Sequence, residues 1–89
     1  MTVEDKLELL RCDLQNPPES MNSYLKTLLA TAEERIYAEG ITLDGSISDT
    51  HLVVMYASYL YRCRNKDDNQ MPRMLRFALN NRLFGEKAR

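Results

Sequence analysis

The spacing of apolar residues along the chain predicts four helices and no strand. The first helix is expected over residues 3–14, where Val3, Leu7, Leu10 and Leu14 recur at helical intervals. The two prolines that follow end it, because proline lacks a backbone donor and restricts the residue before it. Acidic residues in its first turn suit the positive end of the helix dipole, and the preceding threonine is a suitable N-cap.

The second helix is expected over residues 20–39. Its apolar residues form one stripe, namely Leu25, Leu28, Leu29, Ala32 and Ile36. Gly40 follows as a glycine that ends the helix, and Ile41 is placed to pack back against the last turn. The next residues form a loop with an Asp-Gly turn signal.

The third helix is expected over residues 49–64, with Ser48 as its N-cap. Apolar residues cover one broad face and much of the remainder, namely Leu52, Val53, Val54, Met55, Tyr56, Ala57, Tyr59, Leu60, Tyr61 and Cys63. A helix that is apolar on nearly all sides is usually buried. We therefore expect the third helix to be central, covered by the other helices or by a neighbouring subunit.

The fourth helix is expected over residues 72–84, because proline is favoured at a first helical position. Leu75, Leu79 and Leu83 give it a narrow apolar stripe. Gly85 is expected to end this helix, and residues 85–89 are expected to be frayed. The pattern predicts a single all-α domain, residues 1–89, built as a small four-helix bundle.

The length and composition favour a small protein made in a reducing cytosol. A chain of 89 residues forms one domain with a modest core. The sequence has no apolar run near the ~18 residues that a membrane span needs, so no membrane partner is expected. Its acidic, amphipathic start is unlike a signal peptide. Cys12 and Cys63 lie far apart, and we expect both to be unpaired and to behave as small buried apolar residues.

The sequence offers no arrangement of residues that predicts catalysis. His51 is the single histidine, no acidic residue is obviously paired with it, and it stands where a helix dipole disfavours a charged imidazole. Adjacent acidic pairs, Glu33-Glu34 and Asp67-Asp68, lack the spacing of a metal or acid–base site. We predict no enzyme activity, no catalytic residue, no cofactor, no metal and no small-molecule substrate.

Charge is divided unevenly along the chain. Residues 1–50 carry four basic and ten acidic groups, a net charge of −6, whereas residues 51–89 carry eight basic and three acidic groups, a net charge of +5. This division leaves three interpretations open. The basic half contacts nucleic acid, opposite surfaces of neighbouring copies attract each other, or the two sets neutralise each other within one monomer.

Two kinds of residue are candidates for a subunit interface. Tyr37 and Tyr61 are tyrosines outside the main apolar stripes, and interfaces favour an apolar ring with a solvated hydroxyl. The charged candidates are Glu33, Glu34, Arg62, Arg64, Arg73, Arg76 and Arg82. The arginines form a solvated face, dock onto an acidic neighbour or bind DNA. DNA binding has less support, because the chain is slightly acidic and the segment before the last helix is long for a helix-turn-helix.

Four stretches of the chain follow one another in an order that is informative as a set. They are LLRCDL (residues 9–14), AEERIYAEGI (residues 32–41), HLVVMYASYLYRCR (residues 51–64) and MPRMLRFALNNR (residues 71–82). Together they resemble the small phage head–tail connector proteins, the DNA-packaging adaptors that sit below the portal. The resemblance covers nearly the whole chain, from the Leu-Arg-aliphatic-Asp stretch of the first helix to the proline-started last helix with its spaced leucines.

The resemblance implies a structural virion protein of a phage or prophage, made in the bacterial cytoplasm. Copies would form a closed, dodecamer-like ring between the portal and a tail-side completion protein, and duplex DNA would pass through without base readout. A cyclic ring uses two different faces of each subunit, so acidic residues of one copy would meet arginines of the next. We also expect more apolar surface than one bundle hides. The alternatives are a small DNA-binding regulator using the last helix and an intracellular adaptor or inhibitor.

Overall fold

The computed structural model describes residues 3–63 and 71–87, with side chains for residues 4–63 and 71–85. It contains four α-helices and a short 3-10 turn, Glu19–Met21, before the second helix. The α-helices are α1 (Val3–Asp13), α2 (Asn22–Ala38), α3 (Ile47–Arg62) and α4 (Arg73–Lys87). No strand occurs within these described ranges. The predicted all-α bundle is therefore confirmed.

The central position of α3 is also confirmed, since α3 packs against α1, α2 and α4. Each helix turns one apolar stripe into a shared core, whose most enclosed large side chains are Leu10, Leu25, Ile36, Ile41, Val53, Leu75 and Leu79. On α3, Leu52, Val53, Val54, Tyr56 and Ala57 are all buried within the chain itself. Of the two covers expected for α3, the other helices of the chain are the one observed for these residues, because α1, α2 and α4 pack against it.

The end of α2 is formed as the sequence predicts. The Gly40 amide donates to the Tyr37 carbonyl at 2.9 Å, and the Ile41 amide donates to the Ile36 carbonyl at 3.4 Å. These two bonds make a Schellman motif, which requires a left-handed residue at its glycine position. Gly40 has φ +100°, and Ile41 is buried in the core.

Two glycine-to-alanine substitutions are expected to act in opposite directions. At Gly40, which has φ +100°, alanine is strained and should lower the free energy of unfolding by about 1–2 kcal/mol. Gly85 lies inside α4, and a Cβ there meets nothing within 4 Å. Gly85→Ala should therefore raise the free energy of unfolding by about 0.5–1 kcal/mol through helix propensity. Urea unfolding of both variants checks this, and equal effects would contradict the assigned backbone geometry.

Several predicted boundaries need correction. Ser46, not Ser48, is the N-cap of α3, because the Ser46 hydroxyl accepts the amide hydrogen of Asp49 at 3.2 Å. Contrary to the prediction, Gly85 does not end α4, because the helix continues to Lys87. Gly85 is not among the glycines with positive φ, so nothing in its backbone interrupts the helix.

The cysteine prediction is confirmed in part. Cys12 and Cys63 are both free, as expected. Cys12 is exposed and Cys63 is half-buried, so the expectation of buried thiols is wrong for Cys12. The reason is the face of the helix, since the neighbouring Leu10 occupies the buried side of α1. The predicted N-cap Thr2 and the predicted interface residue Arg64 lie outside the described residues.

Candidate interaction surfaces

Several charges predicted to join neighbouring copies form ion pairs within the chain. Glu33 Oε1 lies 2.8 Å from Lys6 Nζ, which links α2 to α1. Arg62 Nη2 lies 3.5 Å from a carboxylate oxygen of Asp13 and 3.3 Å from its carbonyl oxygen. The second of these pairs joins the acidic half of the chain to the basic half. Neutralisation within one monomer, one of the three interpretations of the charge division, therefore accounts for part of it.

Arg82 makes the most buried of these pairs. Its Nε donates to Asp49 Oδ1 at 2.8 Å, and its Nη2 donates to Asp49 Oδ2 at 3.2 Å and to the Thr42 carbonyl at 2.6 Å. The side chain of Asp49 is 4% exposed and that of Arg82 is 17% exposed. We call this arrangement the Arg82 clasp, because the two-point contact fixes α4 to the start of α3 and to the loop before it. Two-point contacts of this kind are among the strongest hydrogen-bonded ion pairs.

The loop before α3 is held by short-range bonds that meet at Asp49. Asp44 Oδ1 accepts the Ser46 amide at 2.9 Å, and Asp49 Oδ2 accepts the Asp44 amide at 2.9 Å. Thr50 Oγ1 donates to the Ser46 carbonyl at 2.9 Å. The sequence Asp-Gly-Ser folds this way because an aspartate accepts from the amide two residues ahead and Gly45 supplies a positive φ of 79°. The loop thereby presents Asp49 to Arg82.

The same loop predicts an acid dependence of stability. The Ser46 amide and hydroxyl, with the nearby Arg82 charge, lower the pKa of Asp44 from 3.8 to about 2. A depressed folded-state pKa means that Asp44 contributes stability above about pH 4 and that this contribution disappears as the pH falls toward 2. Urea unfolding from neutral to acidic pH should show a shallower acid loss for Asp44→Asn than for the natural chain. Free energies of unfolding that fall equally steeply with pH in the two proteins would contradict a lowered pKa of Asp44.

The remaining predicted interface residues are not brought together on one surface. Tyr61 is half-buried and packs on Tyr24, with 6.5 Å between the ring centroids. Glu34 and Tyr37 are exposed on α2, whereas the exposed candidates on α4 are Arg73 and Arg76. The predicted set is thus divided between two outward faces and several internal contacts.

Three largely exposed apolar side chains lie on α4 and are not among the predicted interface residues. Met74, Phe77 and Phe84 on α4 are 77%, 59% and 76% exposed. With the exposed Asn81 they form a stripe spaced three, four and three residues apart, which we call the α4 outer face. This spacing places the four side chains along one side of a helix, away from the buried Leu75 and Leu79. The sequence contains the pattern that could have identified this face, a second apolar stripe on the side of α4 away from the leucines.

An open groove lies between α3 and α4. Its volume is about 520 Å³, and its apolar lining comes from Ile47, Leu52, Met55 and Ala78. Ile47 is another largely exposed apolar residue. The Arg82 clasp lies at one edge of this groove, since Asp49 and Arg82 are also in its lining. The groove and the α4 outer face make this side of the molecule richer in exposed apolar groups than a fully self-contained bundle requires.

Among residues 3–63 and 71–87, no three His, Cys, Asp or Glu side chains are grouped as metal ligands would be. In the same ranges no helix has both the length and the apolar character to cross a membrane. His51 is exposed in α3, near the groove.

No model of a known protein family, no curated protein and no solved structure matches this chain.

Proposed function

We propose that this chain is a structural assembly protein of a phage or prophage, which forms a ring between the portal and the tail. The ring completes the head and lets DNA pass during packaging and ejection. Two different arguments support the proposal. The exposed apolar α4 outer face supports docking to other protein subunits. The order of the four stretches that resemble phage head–tail connectors supports this particular kind of assembly.

The α4 outer face is the observation on which the docking function depends. Met74, Phe77 and Phe84 lie on a helix whose opposite side already fills the core with Leu75 and Leu79. Folding of the single chain therefore gains little from these three large side chains. Exposed aromatic and methionine side chains beside arginine have the composition of interface centres.

The test uses the phage or prophage that encodes the chain. Deleting its gene should give heads that contain no stably retained DNA and carry no tail, and supplying the chain from a plasmid should restore tailed particles. Mass spectrometry of purified particles should find the chain in the virion at several copies for each portal. Normal tailed particles in its absence would contradict the proposal. Purified portal assemblies should also retain the chain in a pull-down.

A DNA-binding regulator has less support from the geometry of the arginines. Arg82 is engaged by Asp49, whereas Arg73 and Arg76 remain exposed on α4. If DNA contacts only these two arginines of α4, few counterions are released, and the slope of log K against log salt for duplex DNA should be no steeper than about −2. Fluorescence anisotropy with labelled duplex at several salt concentrations measures this slope. A slope near −5 would favour the DNA-binding alternative instead.

A further inference from the structure

We infer that the α4 outer face of one copy packs on the outward face of α2 in the next copy. The α2 outer face consists of Ser23, Thr27, Ala30, Glu34 and Tyr37, which are all exposed. The occupant of the apolar stripe on α4 is thus a second copy of this chain, docked through a different surface. The inference rests on the proposed function, because it names the two faces that a ring of these subunits uses.

The two faces have matching spacing. The α4 residues Met74, Phe77, Asn81 and Phe84 are separated by three, four and three positions, and the α2 residues are separated by four, three, four and three. Alternation of three and four is the spacing at which two helices pack along a common seam. An exposed helix side with this spacing is therefore suited to pack against a helix of another molecule.

The two faces also complement each other in size. The α4 side contributes long or aromatic side chains, whereas Ser23, Thr27 and Ala30 on α2 are small. Small residues leave room for large side chains from a facing helix, as happens when ridges on one helix enter grooves on another. Two copies of the α4 face would instead bring large side chains against large side chains.

Charge distinguishes the α2 outer face from a second α4 as the partner. Residues 71–85 contain three arginines and no acidic residue, so paired α4 helices would bring like charges together. On α2, Glu34 lies exposed within the seam itself, next to Tyr37. Glu34 is therefore available to Arg73 or Arg76 of the neighbouring copy, whereas Glu33 is held by Lys6.

The positions of the faces suit a ring. Both α2 and α4 turn their buried stripes toward the core around α3, so their outer faces lie on different sides of the bundle. When two copies join through two different faces, one α2 outer face and one α4 outer face of the pair remain free. Such a contact continues from copy to copy until the rotation closes a ring.

Two variants and their mixture test this arrangement. Phe77→Ser removes an anchor from the α4 outer face, and Ala30→Arg fills the α2 outer face with a bulky positive charge. Both positions are exposed, so circular dichroism and the thermal midpoint should stay close to those of the natural chain. Glu8→Gln is the control. Glu8 is exposed on α1, and this substitution changes the net charge by the same single unit as Ala30→Arg but touches neither face.

Native mass spectrometry and light scattering over a range up to millimolar concentration give the readout. We expect the natural chain and Glu8→Gln to assemble, and each of the two face variants to assemble at least about tenfold more weakly. Mixing Phe77→Ser with Ala30→Arg should give a one-to-one dimer that grows no further, because that pair has one intact contact and two disabled faces. Charge reversal provides a second check. Glu34→Arg should weaken assembly, and adding Arg73→Glu and Arg76→Glu to the same chain should restore it.

Two results would overturn the inference. Assembly of Ala30→Arg as strong as that of the natural chain would mean that α4 pairs with itself or with another surface. A natural chain that remains monomeric at millimolar concentration would mean that the faces do not bind each other. The proposed function fails separately: copies that assemble through these faces but are absent from virions refute the function alone. Virions that need the chain but accept Ala30→Arg refute the interface alone.

Discussion

Replacing Arg82 by methionine is expected to lower the free energy of unfolding by about 3 kcal/mol, because it leaves the Asp49 carboxylate buried without its counter-ion. Asp49 is 4% exposed in the intact chain, so its carboxylate interacts with the guanidinium in place of most of the water that solvates it in the unfolded chain. The Thr42 carbonyl loses its donor in the same variant. A domain of this size has a stability of roughly 5–10 kcal/mol, so the loss is a large fraction of the total.

A second substitution separates the buried charge from loss of packing. Adding Asp49→Asn to Arg82→Met removes the uncompensated charge while an amide oxygen can still accept from the Asp44 amide. The double variant should therefore be more stable than Arg82→Met alone, which is a non-additive result expected of residues in direct contact. Arg76→Met is the matched control on the exposed side of α4, and its effect should stay within about 0.5 kcal/mol. Equal destabilisation by Arg82→Met and Arg76→Met would show that the clasp contributes nothing.

Leu79→Ala is expected to destabilise the fold by about 3 kcal/mol, through lost burial and the cavity that remains. Leu79 is fully enclosed where α4 meets the core, and the neighbouring Leu75 is nearly so. Among the helices, α4 packs mainly on α3, and Leu75 and Leu79 are its two buried side chains in the core. Urea unfolding at equilibrium measures the change, and an unchanged slope against urea would show that α4 still unfolds together with the bundle.

The control for Leu79→Ala is Phe77→Ala on the same helix. Phenylalanine is the larger side chain, but Phe77 points outward and is largely exposed. Its truncation should change the stability of the monomer by no more than about 0.5 kcal/mol. Stability losses of similar size at positions 77 and 79 would contradict the assigned orientation of α4, and with it the exposed face on which the docking proposal depends.

The sequence was informative where the cause of a structural feature is local. Helical periodicity placed all four helices within a few residues of their observed bounds, because each stripe is repeated over several turns. Gly40 marked the end of α2 correctly, since a Schellman motif involves only neighbouring residues and a left-handed glycine. The same local reasoning misplaced the N-cap of α3, because Ser46 and Ser48 are both suitable capping residues.

Pairings between distant residues were beyond the reach of that reasoning. Arg82 and Asp49 are 33 positions apart, and nothing in the sequence predicted that their side chains would meet. Glu33 and Lys6 likewise meet only because α1 and α2 pack side by side. The division of charge along the chain was visible in the sequence, but the share of it that is neutralised internally depended on these long-range contacts.

The sequence by itself determined that this chain is helical, that α3 is buried and where the chain turns between α2 and α3. The leucine stripe of α4 was expected to be buried, and only the tertiary structure decided that a second apolar stripe of that helix stays outside the core. That helix has two such stripes, one built on Leu75 and Leu79 and one on Met74, Phe77 and Phe84. Periodicity reports that a side of a helix is apolar, whereas burial depends on what the rest of the fold places against it.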